Sequence, residues 1–322
     1  MTAMMRAIGY RFPEGRSAPN VTQVGLPTPE AIAGDVLVRV CFAGLSNFER
    51  ETSEGKRKRA LTRLMQKMPV VSGIEMAGIV ESGSGQFSPG DRVVGYTNIF
   101  RGPFFHADYV AISPSKLAHI PEDISLQGAA SIVGGALTSI TAMERIAGIA
   151  AKDQVLVTGA TGSVGITAVQ LASHLGAQVF GVCHSSQTGF VVEHGAAGAF
   201  AYDKNEMPLR EKQFDMVFDT APSLGFSASV GYLKARGTYV TTMPQLDIPG
   251  FLHSLFSHGK WGYLMEADTD HKRMSRLQEL MAAGAFMEVV DSIYPLAEAS
   301  DAFAHQLGHG KRGKILIEFS DR

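Results

Sequence analysis

The sequence predicts an α/β chain in which a parallel sheet covered by helices is joined to a β-rich domain. Three observations carry that expectation. Short β-branched runs punctuated by Gly and Pro fill the first third; strands and helical stretches alternate from about residue 150; and one strand there runs into a glycine turn and an amphipathic helix. With 322 residues, 45% hydrophobic and 19% charged, the chain has material for two cores, which excludes a lone small module or a disordered chain.

In chain order, residues 36–40, 78–81 and 92–94 are the strand-like runs of the first third. Residues 155–157 form the strand before the glycine turn. The helix after it places Ile166, Val169 and Ala172, and Ala168, Leu171 and Leu175, at helical spacing, and Gly176 reads as its stop. Strands are expected at 179–182, 199–202, 214–218 and 238–241, with a helix through 191–194 and another helical stretch before 238. Such alternation predicts a parallel sheet covered on both faces. The tail reads as a helix at 274–281, a strand at 289–290, a helix at 297–305 and a last strand at 314–317 that returns to the first domain.

Composition excludes several roles. Lys and Arg total 29 against 31 Asp and Glu, a net charge of −2, so no basic field draws nucleic acid or acidic membrane. Cys41 and Cys183 alone cannot build a four-thiolate zinc site or a disulfide scaffold, and they read as reduced intracellular thiols. No apolar run of signal-peptide length opens the chain. The small apolar residues at 128–143 are interrupted by Ser131, Thr138, Ser139 and Thr141, too short and polar for a membrane span. A soluble, cytoplasmic protein is expected.

The chemistry lies in Val155-Leu-Val-Thr-Gly-Ala160-Thr-Gly162-Ser-Val-Gly165. Gly162 lets backbone N–H groups approach a pyrophosphate, the helix N-terminus adds partial positive charge, and Gly165 lets the helix pack on the sheet. Ala160 stands where the dinucleotide fingerprint has its first glycine. Ala160, Gly162, Ser163, Val164 and Gly165 are therefore candidate cofactor-binding residues. At the end of the next strand, Val182-Cys183-His184-Ser185-Ser186 contains no acid to repel a 2′-phosphate. His184 and Ser185 have donors for one, so NADP(H) is expected, with NAD(H) as the alternative; a plain helix-capping role for them stays open.

These segments, with Gly34-Asp-Val-Leu-Val, Gly73-Ile-Glu-Met-Ala-Gly-Ile-Val, Pro89-Gly-Asp-Arg-Val, Phe214-Asp-Met-Val-Phe-Asp219 and Gly313-Lys-Ile, resemble zinc-free medium-chain dehydrogenase/reductases of the quinone oxidoreductase type nearly end to end. The resemblance implies a GroES-like substrate domain from 1–121 and 290–322, a Rossmann domain at 122–289, a substrate cleft between them and a homodimer joined at the Rossmann sheet edge. It places Thr138 near the nicotinamide, Tyr202 near the adenosine phosphate, and Ser46, Asn47 and Tyr96 as candidate catalytic residues. Gln187 sits where some relatives have a lysine. Zinc-dependent relatives carry a cysteine where this chain has Ser46 and a histidine where it has Ile74, and neither replacement is a normal zinc ligand. No metal is expected. Without a Lewis acid, quinones and the activated C=C bonds of α,β-unsaturated carbonyls are the natural hydride acceptors, with Tyr96 positioned to give a hydrogen bond or proton to the developing oxygen. A non-catalytic NADPH-binding sensor is the alternative class, and a zinc alcohol dehydrogenase the least favoured branch.

Three further features carry blander readings. Lys56-Arg-Lys-Arg59 with Arg63 and Lys67 follows Glu49, Glu51 and Glu54, while Leu61, Leu64, Met65 and Met68 fall at helical spacing; a solvated helix face is expected, with a substrate-shaping lid as the alternative. His305 and His309 are four apart, but Gly308 and Gly310 suggest a helix ending and no third ligand is evident. Trp261 is expected after the last strand of the parallel sheet, in core or interface.

Overall fold

The glycine-punctuated runs of the first third become strands in the computed structural model, which describes residues 3–11, 20–32, 34–47, 49–50, 70–98, 101–207, 212–221, 223–243, 246–256, 260–263 and 268–319. β1 (Met4–Arg11) lies between β2 (Asn20–Pro27) and the short β4 (Val70–Val71). A larger sheet is built on β3 (Val36–Gly44), β5 (Glu75–Ser82), β6 (Arg92–Tyr96) and β8 (Leu117–His119), with β7 (Tyr109–Ile112) also paired to β3. Val38, Val40 and Met76 of this sheet pack with Ile8 of β1 and Phe105 in one buried core. The basic cluster at 56–67 lies outside the described residues.

A long helix follows, α1 (Leu126–Ile140), extended by a π-helical turn at Thr141–Ala147. It is longer than the 128–143 run and is the one described helix with the length and hydropathy of a membrane span, yet it is mostly buried within the protein. Two of the hydroxyls that interrupt the run are satisfied along the helix: Ser131 donates to Gly128 O (2.7 Å) and Ser139 to Gly135 O (2.8 Å).

The alternating region forms a six-stranded sheet from β9 (Gln154–Thr158), β10 (Gln178–Cys183), β11 (Gly198–Ala201), β12 (Phe214–Asp219), β13 (Leu233–Thr241) and β14 (Lys260–Tyr263). The order is β11-β10-β9-β12-β13-β14, all parallel, which is the 3-2-1-4-5-6 order of a Rossmann sheet. Central strands are buried almost continuously, as parallel strands covered on both faces must be. The connecting helices are α2 (Ser163–His174), α3 (Thr188–Glu193), α4 (Gly225–Ser229) and α5 (Ile248–Ser254). The predicted stop at Gly176 is a Schellman cap. Gly176 takes φ +79°, its N–H donates to Ser173 O and the next N–H donates to Ala172 O.

One expectation needs correcting here. Trp261 lies within the sixth strand, opposite Tyr239, rather than after the last strand. The four-residue β14 lacks a β-branched run and is defined by pairing with β13; Gly262 allows the close approach, since a Cβ there would lie 2.6 Å from Ile146.

After α6 (His271–Ala282), β15 (Val290–Pro295) and α7 (Ala299–Leu307), the last strand β16 (Lys314–Glu318) pairs antiparallel with β3, placing Leu316 opposite Gly44. The chain divides into two compact units: Met1–Gly134 with Ala267–Ala282 and Glu288–Arg322, and Gly135–Glu266 with Ala283–Met287. The helix α6 belongs to the first unit, where the Gln278 side chain accepts a hydrogen bond from the His119 N–H (3.2 Å).

Candidate functional site

In the second unit, the strand order reverses between β9 and β12, and ligands of open α/β sheets bind beyond the carboxyl ends of strands at such a point. The glycine turn leaves β9 there. The left-handed residue is Gly159 (φ +61°), one position before Ala160. Ala160 is therefore compatible with the turn: its N–H donates to Val182 O and its methyl packs over Gly181. Gly165 is required by packing, because a Cβ would stand 2.1 Å from Gly159 O. Gly162 differs, since a Cβ there would meet only Gly159 O at 3.5 Å. It caps α2 without a side chain, leaving the first-turn N–H groups of Ser163, Val164 and Gly165 without an intrahelical partner. The Ser163 hydroxyl is buried with no hydrogen-bond partner among the described residues. An anion at this helix start would answer both features, so the residues fit the pyrophosphate of a dinucleotide.

The second half of α1 packs against this helix start. A Cβ at Gly135 would lie 2.6 Å from Ser163 O, and the Ser139 hydroxyl is within hydrogen-bond distance of Thr167 Oγ1 (3.2 Å). Thr138 is buried on α1, next to Ser139, whose hydroxyl donates to Val164 O (3.4 Å). Behind the turn, the buried Asp219 carboxylate at the end of β12 accepts from Thr158 Oγ1 (2.5 Å) and Tyr239 OH (2.9 Å). Burial and the Asp219 charge push the Tyr239 phenol far up, so it remains a donor. This network joins the carboxyl ends of three strands; sequence pattern exposed Asp219 as a motif residue without its role.

The ends of β10 and β11 bring His184, Ser185 and Tyr202 together. The His184 and Tyr202 rings meet edge to face at 5.9 Å. They also bring an acid that the strand-end sequence lacks. Asp203 accepts from the Ser185 N–H and hydroxyl, each at 2.7 Å. The expectation of an acid-free strand end is corrected by the tertiary structure, because Asp203 follows a different strand. Cys183, at the end of β10, is buried, and burial pushes its thiol up to about 11, which makes it unreactive.

The first unit holds a separate polar cluster. Ser46 gives its N–H (2.8 Å) and hydroxyl (2.5 Å) to Glu49, whose other oxygen accepts from the Gly73 N–H (3.1 Å). Glu49 is fully buried, a correction to the expected solvated face; desolvation raises its pKa against those donors. Asn47, beside it, is exposed. His106, also buried, bonds Ser72 Oγ through Nδ1 (2.8 Å) and Gly44 O through Nε2 (3.2 Å), and burial lowers its pKa to about 4. Glu75 pairs with Lys314 and accepts from the Gly134 N–H (3.0 Å). Tyr96 is buried at the end of β6, directly opposite Glu75. His106 was not named by sequence pattern, and Glu49 and Lys314 were named without these roles, because single polar residues in apolar strands and loops carry no periodic signal.

A six-stranded Rossmann sheet with an anion-ready glycine turn, joined in one chain to a β-rich unit closed by the C-terminal strand, defines a dinucleotide-binding oxidoreductase architecture. Residues 32–122 match the alcohol dehydrogenase GroES-like domain family, and residues 191–317 match the zinc-binding dehydrogenase family. A chloroplastic quinone oxidoreductase of Triphysaria versicolor is 27% identical over 98% of both chains. The solved quinone oxidoreductase of Coxiella burnetii superposes with a TM-score of 0.82 at 24% identity, covering 98% of this chain and 99% of its own. A mycobacterial protein solved in complex with NADPH superposes at 0.77 with 22% identity, covering 98% and 99%. The chain belongs to the medium-chain dehydrogenase/reductase superfamily and is quinone oxidoreductase-like.

One matching family is described as zinc-binding, and the donor set here does not fit that ion. The Ser46 hydroxyl is committed to Glu49, Ile74 offers only a buried aliphatic chain, and Glu75 is engaged by Lys314. Among the described residues no three His, Cys, Asp or Glu side chains converge. His305 bonds Ser292 and Tyr294 in the last turn of α7, and His309 lies beyond the helix end.

Proposed function

We propose that this chain transfers hydride from a reduced nicotinamide dinucleotide to quinones or to the activated C=C bonds of α,β-unsaturated carbonyls, without zinc. The observation that carries the reading is the turn from Gly159 to Gly165, with its uncapped helix start and unpartnered buried Ser163 hydroxyl. When bound, the reduced nicotinamide supplies the hydride. Ser163, Val164 and Gly165 hold the pyrophosphate through backbone N–H groups, and Thr138 lies toward the nicotinamide. His184, Ser185 and Tyr202 form the adenosine end. The choice between NADP(H), expected from the donors at 184–186, and NAD(H) turns on Asp203.

Ser46, Asn47 and Tyr96 of the first unit are the proposed polar groups for the acceptor. Glu49 fixes Ser46 by taking both its N–H and its hydroxyl proton, so Ser46 presents lone pairs and orients rather than donates. Tyr96 is the hydrogen-bond donor proposed for the oxygen that gains charge. We further infer a cytoplasmic homodimer. The free, buried cysteines fit a reducing compartment. Among the described residues the sheet ends at β14, and the segment before it exposes Leu246, Ile248, Leu252, Leu255 and Phe256.

The test is NADPH and NADH oxidation by purified protein with ortho- and para-quinones, alkenals and enones. Acceptor-dependent oxidation that persists after exhaustive dialysis against a zinc chelator is expected. Dinucleotide binding with no turnover of any acceptor would favour a sensor, and loss of turnover on chelation would overturn the zinc-free mechanism.

A further inference from the structure

We propose that Asp203 sets the choice between the two nicotinamide dinucleotides, turning the adenosine end toward a free ribose 2′-hydroxyl and against a 2′-phosphate. The assignment rests on the dinucleotide reading above and goes beyond it by naming the selecting residue.

The group that discriminates in Rossmann sheets stands at the end of the second strand, about 20 residues past the glycine turn. In this chain the second strand ends at the buried Cys183, and Ser185 stands two residues past it with both its donors already spent. The N–H reaches Asp203 Oδ1 and the hydroxyl reaches Asp203 Oδ2, both at 2.7 Å. His184 cannot replace them. Its Nδ1 accepts from the Ser186 N–H (3.2 Å) and lies 2.9 Å from the Ser186 hydroxyl, leaving Nε2 to carry the proton, and Nε2 faces Asp203 Oδ2 at 3.5 Å. The side-chain donors of His184, Ser185 and Ser186 are thus directed at one carboxylate or within their own turn.

Asp203 is ionised at neutral pH, since the Ser185 hydrogen bonds and the neighbouring His184 lower its pKa. A 2′-phosphate carrying ~−1.5 to −2 charge would have to strip Ser185 from a carboxylate and sit beside it. A ribose hydroxyl can instead donate to the same carboxylate, which has lone pairs to spare. The strand end itself, from Cys183 to Thr188, contributes no cation to offset the repulsion. Lys204, the next residue after Asp203, is exposed on the Tyr202–Lys204 turn.

The experiment is fluorescence titration of NADH and NADPH into wild type, Asp203→Asn and Asp203→Ser, with Lys204→Ala as a control for the neighbouring cation. Asparagine keeps an acceptor for Ser185 while removing the charge; serine also frees the Ser185 donors. We expect wild type to bind NADH more tightly, and the NADPH-to-NADH affinity ratio to rise by roughly tenfold or more in both Asp203 variants. A ratio unchanged in both variants would overturn the role of Asp203 while leaving dinucleotide binding intact. A ratio that moves only in Lys204→Ala overturns it in favour of the lysine. Binding of neither nucleotide by folded wild type would refute the dinucleotide reading and this assignment with it.

Discussion

Gly162 and Gly165 are three residues apart in one motif and are glycine for different reasons. Gly165 has no room for a methyl because Gly159 O would be 2.1 Å away, so its requirement belongs to the protein's own packing. Gly162 has room and an ordinary φ of −72°, so the fold itself does not require glycine there, and the proposed dinucleotide would. Two substitutions separate these causes. Gly162→Ser supplies a favourable N-cap and should leave the melting temperature within about 2 °C of wild type or above it, while weakening dinucleotide binding by roughly tenfold or more. Gly165→Ala should weaken binding and also cost about 1–3 kcal/mol of stability, because the turn must move. Thermal denaturation and dinucleotide titration of both variants check this; equal loss of stability in the two would contradict it.

At the scale of elements, the first unit carries a buried polar seam among β1, β3 and the loops at 72–73 and 105–106. Tyr10, Glu49, Ser72 and His106 are all buried there. Their titration has opposing signs. His106, held neutral by burial with a pKa near 4, binds fewer protons in the native than in the unfolded chain between pH about 6.5 and 4. Its contribution is therefore present above about 6.5 and lost as pH falls through that window, by up to roughly 3 kcal/mol. Glu49, raised by desolvation, favours the native state as pH falls through its own range and offsets part of that loss. His106→Gln should flatten the acid limb of stability between pH 6.5 and 4 even if it lowers stability at neutral pH. Denaturant unfolding across that range measures it, and an unchanged acid limb would remove His106 from the account.

At the scale of the whole molecule, the exposed apolar segment before β14 predicts the assembly. Phe256 is 90% exposed and Leu255 beside it 62%, next to a strand whose outer edge has no partner among the described residues. Light scattering should find wild type at twice 34.5 kDa, and Leu255→Glu with Phe256→Glu should shift it to the single chain; a monomeric wild type would refute the dimer. Much of the architecture was legible beforehand because it depends on local signals. The alternation of β-branched runs and helical spacing gave five of the six parallel strands, and the glycine turn was placed between the first of them and its helix. What escaped depends on groups far apart in the chain. Asp203 stands 18 residues from the serine it holds, Asp219 lies 61 from Thr158, Glu75 lies 239 from Lys314, and β14 is a strand only because β13 pairs with it. Sequence by itself determined the class of fold and the place of the glycine turn, since periodicity and backbone freedom are local properties. Tertiary structure alone decided which charges face that site, since a carboxylate acts through space on whatever the fold brings within a few ångströms.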